Sequence, residues 1–233
     1  GLADAYRLAG KFDLAVALSE QAFSLQKEKI GPDHPDTLAS MSVLAAAYAL
    51  VGKLDLAISI SEQTLALHQA KLGPDHPDTL ESMNKLAAAY AEVGKFDLAV
   101  TLSEKTLTLQ KAKFGAEHPF VLKTTHHHAV ALLQVRRSDE AVPLFQGLIA
   151  AYRKAYSAEP AKLATALARI AAALIRGGLH EVAEPMLRES LAIRSKAEPD
   201  AWQTFNTKSL LGAALLGQKR YADAEAMLLR GYE

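Results

Sequence analysis

Apolar residues along this chain recur at spacings of three and four rather than two, the pattern of helices with one buried face. The stretch 73–114 carries it most plainly. Pro77 suits a first helical position, because its missing N–H would be unpaired there in any case. Asp78 sets negative charge at the positive end of the helix dipole. Leu80, Met83, Leu86, Ala87 and Tyr90 then share one face. Gly94 ends that helix, where a left-handed residue is often needed. A second helix follows, with Asp97 in its first turn and Lys111 and Lys113 near its negative end. Ala99, Leu102, Thr106 and Leu109 line one of its faces. Each predicted helix has about 17 residues and is about 25 Å long. The connections are short, so neighbouring helices run antiparallel.

This helix pair is written several times. Residues 31–72 and 73–114 agree at about 29 of 42 positions, and "GPDHPDTL" stands at both 31–38 and 73–80. A faded copy, "GAEHPFVL", begins at Gly115. Tyr6, Tyr48 and Tyr90 keep the 42-residue step, as do Gly10, Gly52 and Gly94. Ala15, Ala57, Ala99, Ala141 and Ala183 extend it, and Ala224 comes one residue early. A period of this size marks a repeat architecture. The expected organisation is one array over 1–233: a partial repeat 1–30, repeats 31–72, 73–114, 115–156 and 157–198, and a partial repeat 199–233. One hairpin cannot bury its apolar face alone, whereas stacked hairpins share a continuous core. The regularly placed alanines let the two helices of a unit approach closely.

Leu-Ala-Ala-Ala-Tyr at 44–48 and 86–90, the following Gly and the later Ala resemble the tetratricopeptide repeat. A 42-residue form with Gly-x-Asp-His-Pro before the first helix looks like the repeats of kinesin light chain and its bacterial relatives. Residues 31–114 carry the resemblance strongly. Elsewhere it is looser: Arg136 replaces the turn Gly, and Pro160 arrives one residue early. The resemblance implies an all-α fold, a right-handed superhelical solenoid of antiparallel helix pairs. It also implies that the first helices line a concave groove that binds peptides or partner proteins.

Composition narrows the function classes. Half the residues are apolar, and 26 basic residues balance 26 acidic ones. No basic run points to nucleic acid or an anionic membrane surface. There are no cysteines, which removes disulfides and thiolate metal sites and leans weakly towards a cytoplasmic location. No apolar run reaches the roughly 20 residues that span a bilayer. The chain begins at Gly1 without a signal-peptide pattern and stops at Glu233 inside an apparent helix, so we expect an excerpt of a longer protein.

Several motifs suggest chemistry. His34, His76 and His118 belong to successive units, and neighbouring helices pack about 8–10 Å apart. Zinc needs each ligand at about 2.0–2.1 Å, so the three cannot share an ion. Each is expected to hold its own loop, with Asp-His-Pro acting as punctuation between units. His126, His127 and His128 point in different directions on a helix. In repeat register His126 and His127 face the groove, and His128 points inward and needs a hydrogen-bond partner. The Gly-Lys pairs at 10–11, 52–53 and 94–95 lack the first Gly and the Ser or Thr of a phosphate loop. No paired carboxylates, nucleophile elbow or kinase signature is present. We expect no catalytic residue, metal or cofactor.

In a repeat array core positions recur, while functional positions vary. The candidate partner-binding set on the first helices is Ser42; Glu81, Asn84, Lys85 and Glu92; Lys123, His126, His127 and Gln134; and Arg169 and Arg176. This face is expected to change from apolar through mixed polar to basic. Kinesin-light-chain-like repeats often read Asn-Asn-Leu-Ala here, and only Asn84 keeps the first Asn. The expected function is a non-catalytic scaffold holding a peptide or protein segment in the groove. A second arrangement is the C-terminal regulatory or targeting region of a larger bacterial serine/threonine kinase or other multidomain protein. Self-association through apolar helix faces near Leu2 and Leu229 is a further partner expectation.

Overall fold

The computed structural model describes Tyr6 and residues 9–229. Among these residues the ordered elements are helices: α1 Phe12–Ile30, α2 Pro35–Leu50, α3 Leu54–Leu72, α4 Pro77–Glu92, α5 Phe96–Phe114 and α6 Pro119–Gln134. They continue as α7 Ser138–Ala155, α8 Pro160–Arg176, α9 His180–Ala197, α10 Trp202–Gly217 and α11 Tyr221–Leu229. The chain forms two compact units, one running to Ala131 and one starting at Leu132.

In the first unit each helix of α1–α5 packs on the next. Leu80, Met83 and Leu86 of α4 form one core cluster with Ile58 and Leu65 of α3, and Tyr90, Leu102, Leu109 and Phe114 pack against it. Burying a side chain of this size contributes about 1.5–3 kcal/mol. In the second unit α7 to α11 also pack in succession, and α8 additionally meets α10. Phe145, Leu167, Ile170, Leu174, Leu187 and Leu211 are among its largest fully buried side chains.

Two kinds of connection join the helices. Within a pair, the chain closes with a pair of backbone bonds: Lys53 N–H donates to the Tyr48 carbonyl (2.9 Å) and Gly52 N–H to the Ala49 carbonyl (3.1 Å). This is the geometry of a helix ended by a left-handed residue. The same bonds recur at Gly94, and also at Arg136, which takes φ 60° although it is not glycine. Gly10, Gly52, Gly94 and Gly178 hold equivalent turns at φ 71–77°.

Between pairs, "GPDHPDT" works as a unit. Gly31 and Gly73 adopt φ 96° and 88° with ψ 158° and 166°. That region is essentially reserved for glycine. The Thr37 and Thr79 hydroxyls donate to the carbonyls of those glycines, both at 2.8 Å. Lys71 donates to the Asp33 carbonyl (2.7 Å) and carboxylate (3.1 Å), and Lys113 donates to the Asp75 carbonyl (2.7 Å). Each loop is thereby tied to the end of the second helix of its own repeat.

Candidate functional site

The histidines of the repeated loop are helix caps. The Asp36 N–H donates to His34 Nδ1, Asp78 N–H to His76 Nδ1 and Phe120 N–H to His118 Nδ1, each at 3.2 Å. Each ring satisfies one of the amides that a helix start leaves orphaned. The three belong to three different helices, so their chemistry is local and repeated.

The main concavity of the first unit lies between α2 and α4, with α3 and α1 as its floor. Its volume is about 1120 Å³. The α2 wall presents Ala39, Ser42, Val43, Ala46 and Leu50. Val43 is 39% exposed and Leu50 47% exposed, so apolar surface faces solvent here. The α4 wall presents Asp78, Glu81, Lys85, Ala88 and Glu92. Lys85 Nζ lies 3.0 Å from Glu81, so its charge is matched within the wall. Acidic groups therefore outweigh basic ones on α4, facing an apolar strip on α2.

The floor contains a buried pair. His68 of α3 is 8% exposed, and its Nδ1 lies 2.8 Å from Ser82 Oγ of α4. Burial holds the imidazole below its usual pKa, with Asp78 pulling the other way. Sequence reasoning did not single out His68, Ser82, Lys71 or Asp78 as lining residues. The available signal was positional: His68 stands at the 42-residue equivalent of Gln26 and Gln110, so this place in the second helix is polar in each of these repeats.

The candidate residues separate into groups. Ser42, Glu81, Lys85 and Glu92 come together around the concavity. Asn84 does not join them: it is half-buried, and its Oδ1 accepts from the Thr124 hydroxyl at 2.8 Å, linking α4 to α6. Lys123 and His127 are exposed on α6. His126 is buried rather than displayed, with its ring centroid 6.0 Å from that of His127. This corrects the expectation that it faces the groove. Its 42-residue equivalents Ser42 and Asn84 are half-buried, so the position borders neighbouring helix rather than open solvent. His128 points inward as expected, and its Nδ1 lies 2.8 Å from Ser103 Oγ. In the second unit Gln134, Arg169 and Arg176 are all exposed. Leu229 is 60% exposed, whereas Leu2 lies outside the described residues.

Helix pairs at a 42-residue step, closed by a recurring turn and, at α2, α4 and α6, opened by the same His cap, have the build of a helical repeat. The tetratricopeptide repeat profile matches residues 1–67, 42–112, 83–154 and 162–233. The chain belongs to the tetratricopeptide repeat family. Solved structures agree. The nearly identical TPR-like repeats of a Podosopora anserina protein assigned as a kinesin light chain are 31% identical. That match covers 84% of this chain and 93% of the other, with a TM-score of 0.75. BtubC (BKLC) from P. vanneervenii is 20% identical over 95% of this chain and 89% of its own, with a TM-score of 0.74. MamA is 16% identical over 81% and 92%, with a TM-score of 0.52. The last two show likeness of fold. No curated protein matches the sequence significantly.

Membership makes the chain a tetratricopeptide-type protein-interaction scaffold, with kinesin-light-chain-like repeats. Among the described residues no helix is long and apolar enough to cross a membrane. In the tetratricopeptide pair the first-helix Tyr also locks neighbouring repeats together. Tyr48 OH donates to Glu20, and Tyr90 OH to Glu62, both at 2.7 Å. Burial and the bond to Glu62 push the Tyr90 phenol up to about 12, so it keeps its proton across the physiological range.

Proposed function

We propose that this tetratricopeptide array is a non-catalytic scaffold that binds a peptide or protein segment in the concavity between α2 and α4. The supporting observation is the contrast between its walls. An apolar strip on α2 faces an acid-weighted α4 across about 1120 Å³ of open space. That volume lies above the roughly 300–1,000 Å³ typical of small-molecule pockets, which favours a chain segment over a metabolite. The partner would lay apolar side chains against Val43 and Leu50 and direct Lys or Arg towards Asp78, Glu81 and Glu92. Charge matching of this kind selects partners and speeds encounter.

The repeat boundaries 31–72, 73–114, 115–156 and 157–198 belong to the same reading, with the boundary glycines at 31, 73 and 115 each opening the loop that caps the next first helix. Selection from a random peptide library against the full chain tests the proposal. Enriched sequences should combine apolar residues with Lys or Arg, and Glu81→Lys with Glu92→Lys should weaken them by about tenfold. Enrichment of acidic sequences that ignore these changes would sink it.

A further inference from the structure

A second, smaller cavity of about 320 Å³ lies in the second unit, between the end of α7 and the start of α8. Its lining includes Tyr152, Tyr156, Lys162, Thr165 and Arg169, with no acidic residue. Tyr152 and Tyr156 stack, with ring centroids 5.7 Å apart and planes 12° apart. Arg169 Nη2 donates to Tyr152 OH at 3.2 Å. Behind this wall lies Arg194 of α9, only 8% exposed. Its Nη2 donates to Thr165 Oγ1 at 2.9 Å, so the guanidinium points at the cavity lining. Its buried Nε has no hydrogen-bond partner.

Among the described residues neither Arg169 nor Arg194 is paired with a carboxylate. The neighbouring acids are engaged elsewhere: Glu159 with Lys162 at 2.5 Å, and Glu189 with Arg153 at 2.6 Å. Burying a charge without a partner costs several kcal/mol or more. The repeat register sharpens the anomaly. Counting back from Arg194 in steps of 42 gives Tyr152, Gln110, His68 and Gln26, groups that are buried or half-buried without a fixed positive charge. Arg194 alone brings a permanent charge to that place.

We propose that this cavity is a phosphoryl-binding site, in which Arg169 holds a phosphomonoester whose attached group packs against Tyr156, while Arg194, behind the lining, adds its charge through Thr165. Two uncompensated guanidinium groups match the charge of about −1.5 to −2 that a phosphomonoester carries at neutral pH, whereas a carboxylate would neutralise only half. Arginine offers five N–H donors, and Arg169, which lines the cavity, uses one of them on Tyr152. The phosphoryl group comes either from a modified side chain of a partner or from free phosphate. The proposal is independent of the α2–α4 reading.

The test is calorimetric titration of the full chain at low ionic strength with phenyl phosphate, inorganic phosphate, benzoate and phenol. Phenyl phosphate should bind saturably and at least about tenfold more tightly than benzoate, and phenol should not bind. Arg169→Gln and Arg194→Met should each weaken binding by about tenfold or more. Arg194→Met should leave the melting temperature unchanged or raise it, because it removes an unpaired buried charge. Should that variant not fold, exposed Arg169→Gln decides. Inorganic phosphate binding as tightly as phenyl phosphate assigns the free ion as the source, and weaker binding assigns a phosphorylated aromatic side chain. Benzoate binding equally well, binding that survives Arg169→Gln, or no saturable binding at all would each overturn the proposal.

Discussion

The helix pairs α2–α3 and α4–α5 and the pair α8–α9 have the same build and are held in different ways. In the first region the helix start is fixed by chemistry: a His cap, a Thr-to-Gly bond and a Lys-to-Asp tie recur in each loop. Polar residues even enter the interior, where Thr79 is fully buried and Ser82 nearly so. At Glu159, which precedes α8, no side chain caps the helix. Instead Ala164, Leu167, Ile170, Ala171 and Leu174 are all completely buried, and Ser190 Oγ donates to the Ala164 carbonyl at 2.8 Å. A repeat can therefore lose its loop chemistry when packing takes over the task of positioning the helix.

The contrast can be broken most directly in α8. Leu167→Ala should cost about 2–5 kcal/mol by leaving a cavity in a dense core, read as a lower urea midpoint. A cost below about 1 kcal/mol would mean that packing does not hold this repeat. Next comes the cap. His76→Ala should destabilise by about 0.5–2 kcal/mol, while Glu159→Ala, which removes no cap, should be close to neutral in the same denaturation experiment. Equal effects would erase the distinction between the regions. A smaller gain is expected at Arg136. Replacing it by Gly relieves a left-handed backbone at φ 60° and should stabilise by up to about 1 kcal/mol, measured as a raised melting temperature.

The smallest effect is read as a slope of stability against pH. His68 is held below its unfolded pKa of about 6.5 by burial, partly offset by Asp78 and Glu81. Its neutral form is the one the fold favours. The contribution is therefore complete above about pH 6.5, and the fold loses stability as pH falls from there towards the lower folded value. His68→Gln, which copies Gln26 and Gln110, should flatten the decline between pH 7 and pH 5. An unchanged slope would place the titrating group elsewhere.

The same contrast explains what could be read in advance. Loop chemistry is spelled in letters, so "GPDHPDT" announced helix starts, glycine turns and the first-to-second-helix order. Packing constrains only size and apolarity, so the later repeat kept its 42-residue alanines while its loops drifted. The positions that escaped notice depend on partners in other repeats. Asn84 looked like a groove residue until its bond to Thr124 placed it between first helices. His126 shared an apparent face with exposed neighbours, yet it turned into the interior. Arg194 carried no visible signal until its burial and its unpaired Nε were known together. Ser42, Glu81, Lys85 and Glu92 were legible as a set because their spacing places them on one face of consecutive first helices.

The most direct test of the binding account is photocrosslinking from single positions of the full chain in its host. Crosslinkers would stand at Ser42 and Glu92, which line the α2–α4 concavity, and at exposed Glu104 on α5. The account predicts adducts to the same protein partner from Ser42 and Glu92 and none from Glu104. Adducts from Glu104 alone, or from none of the three, would contradict it.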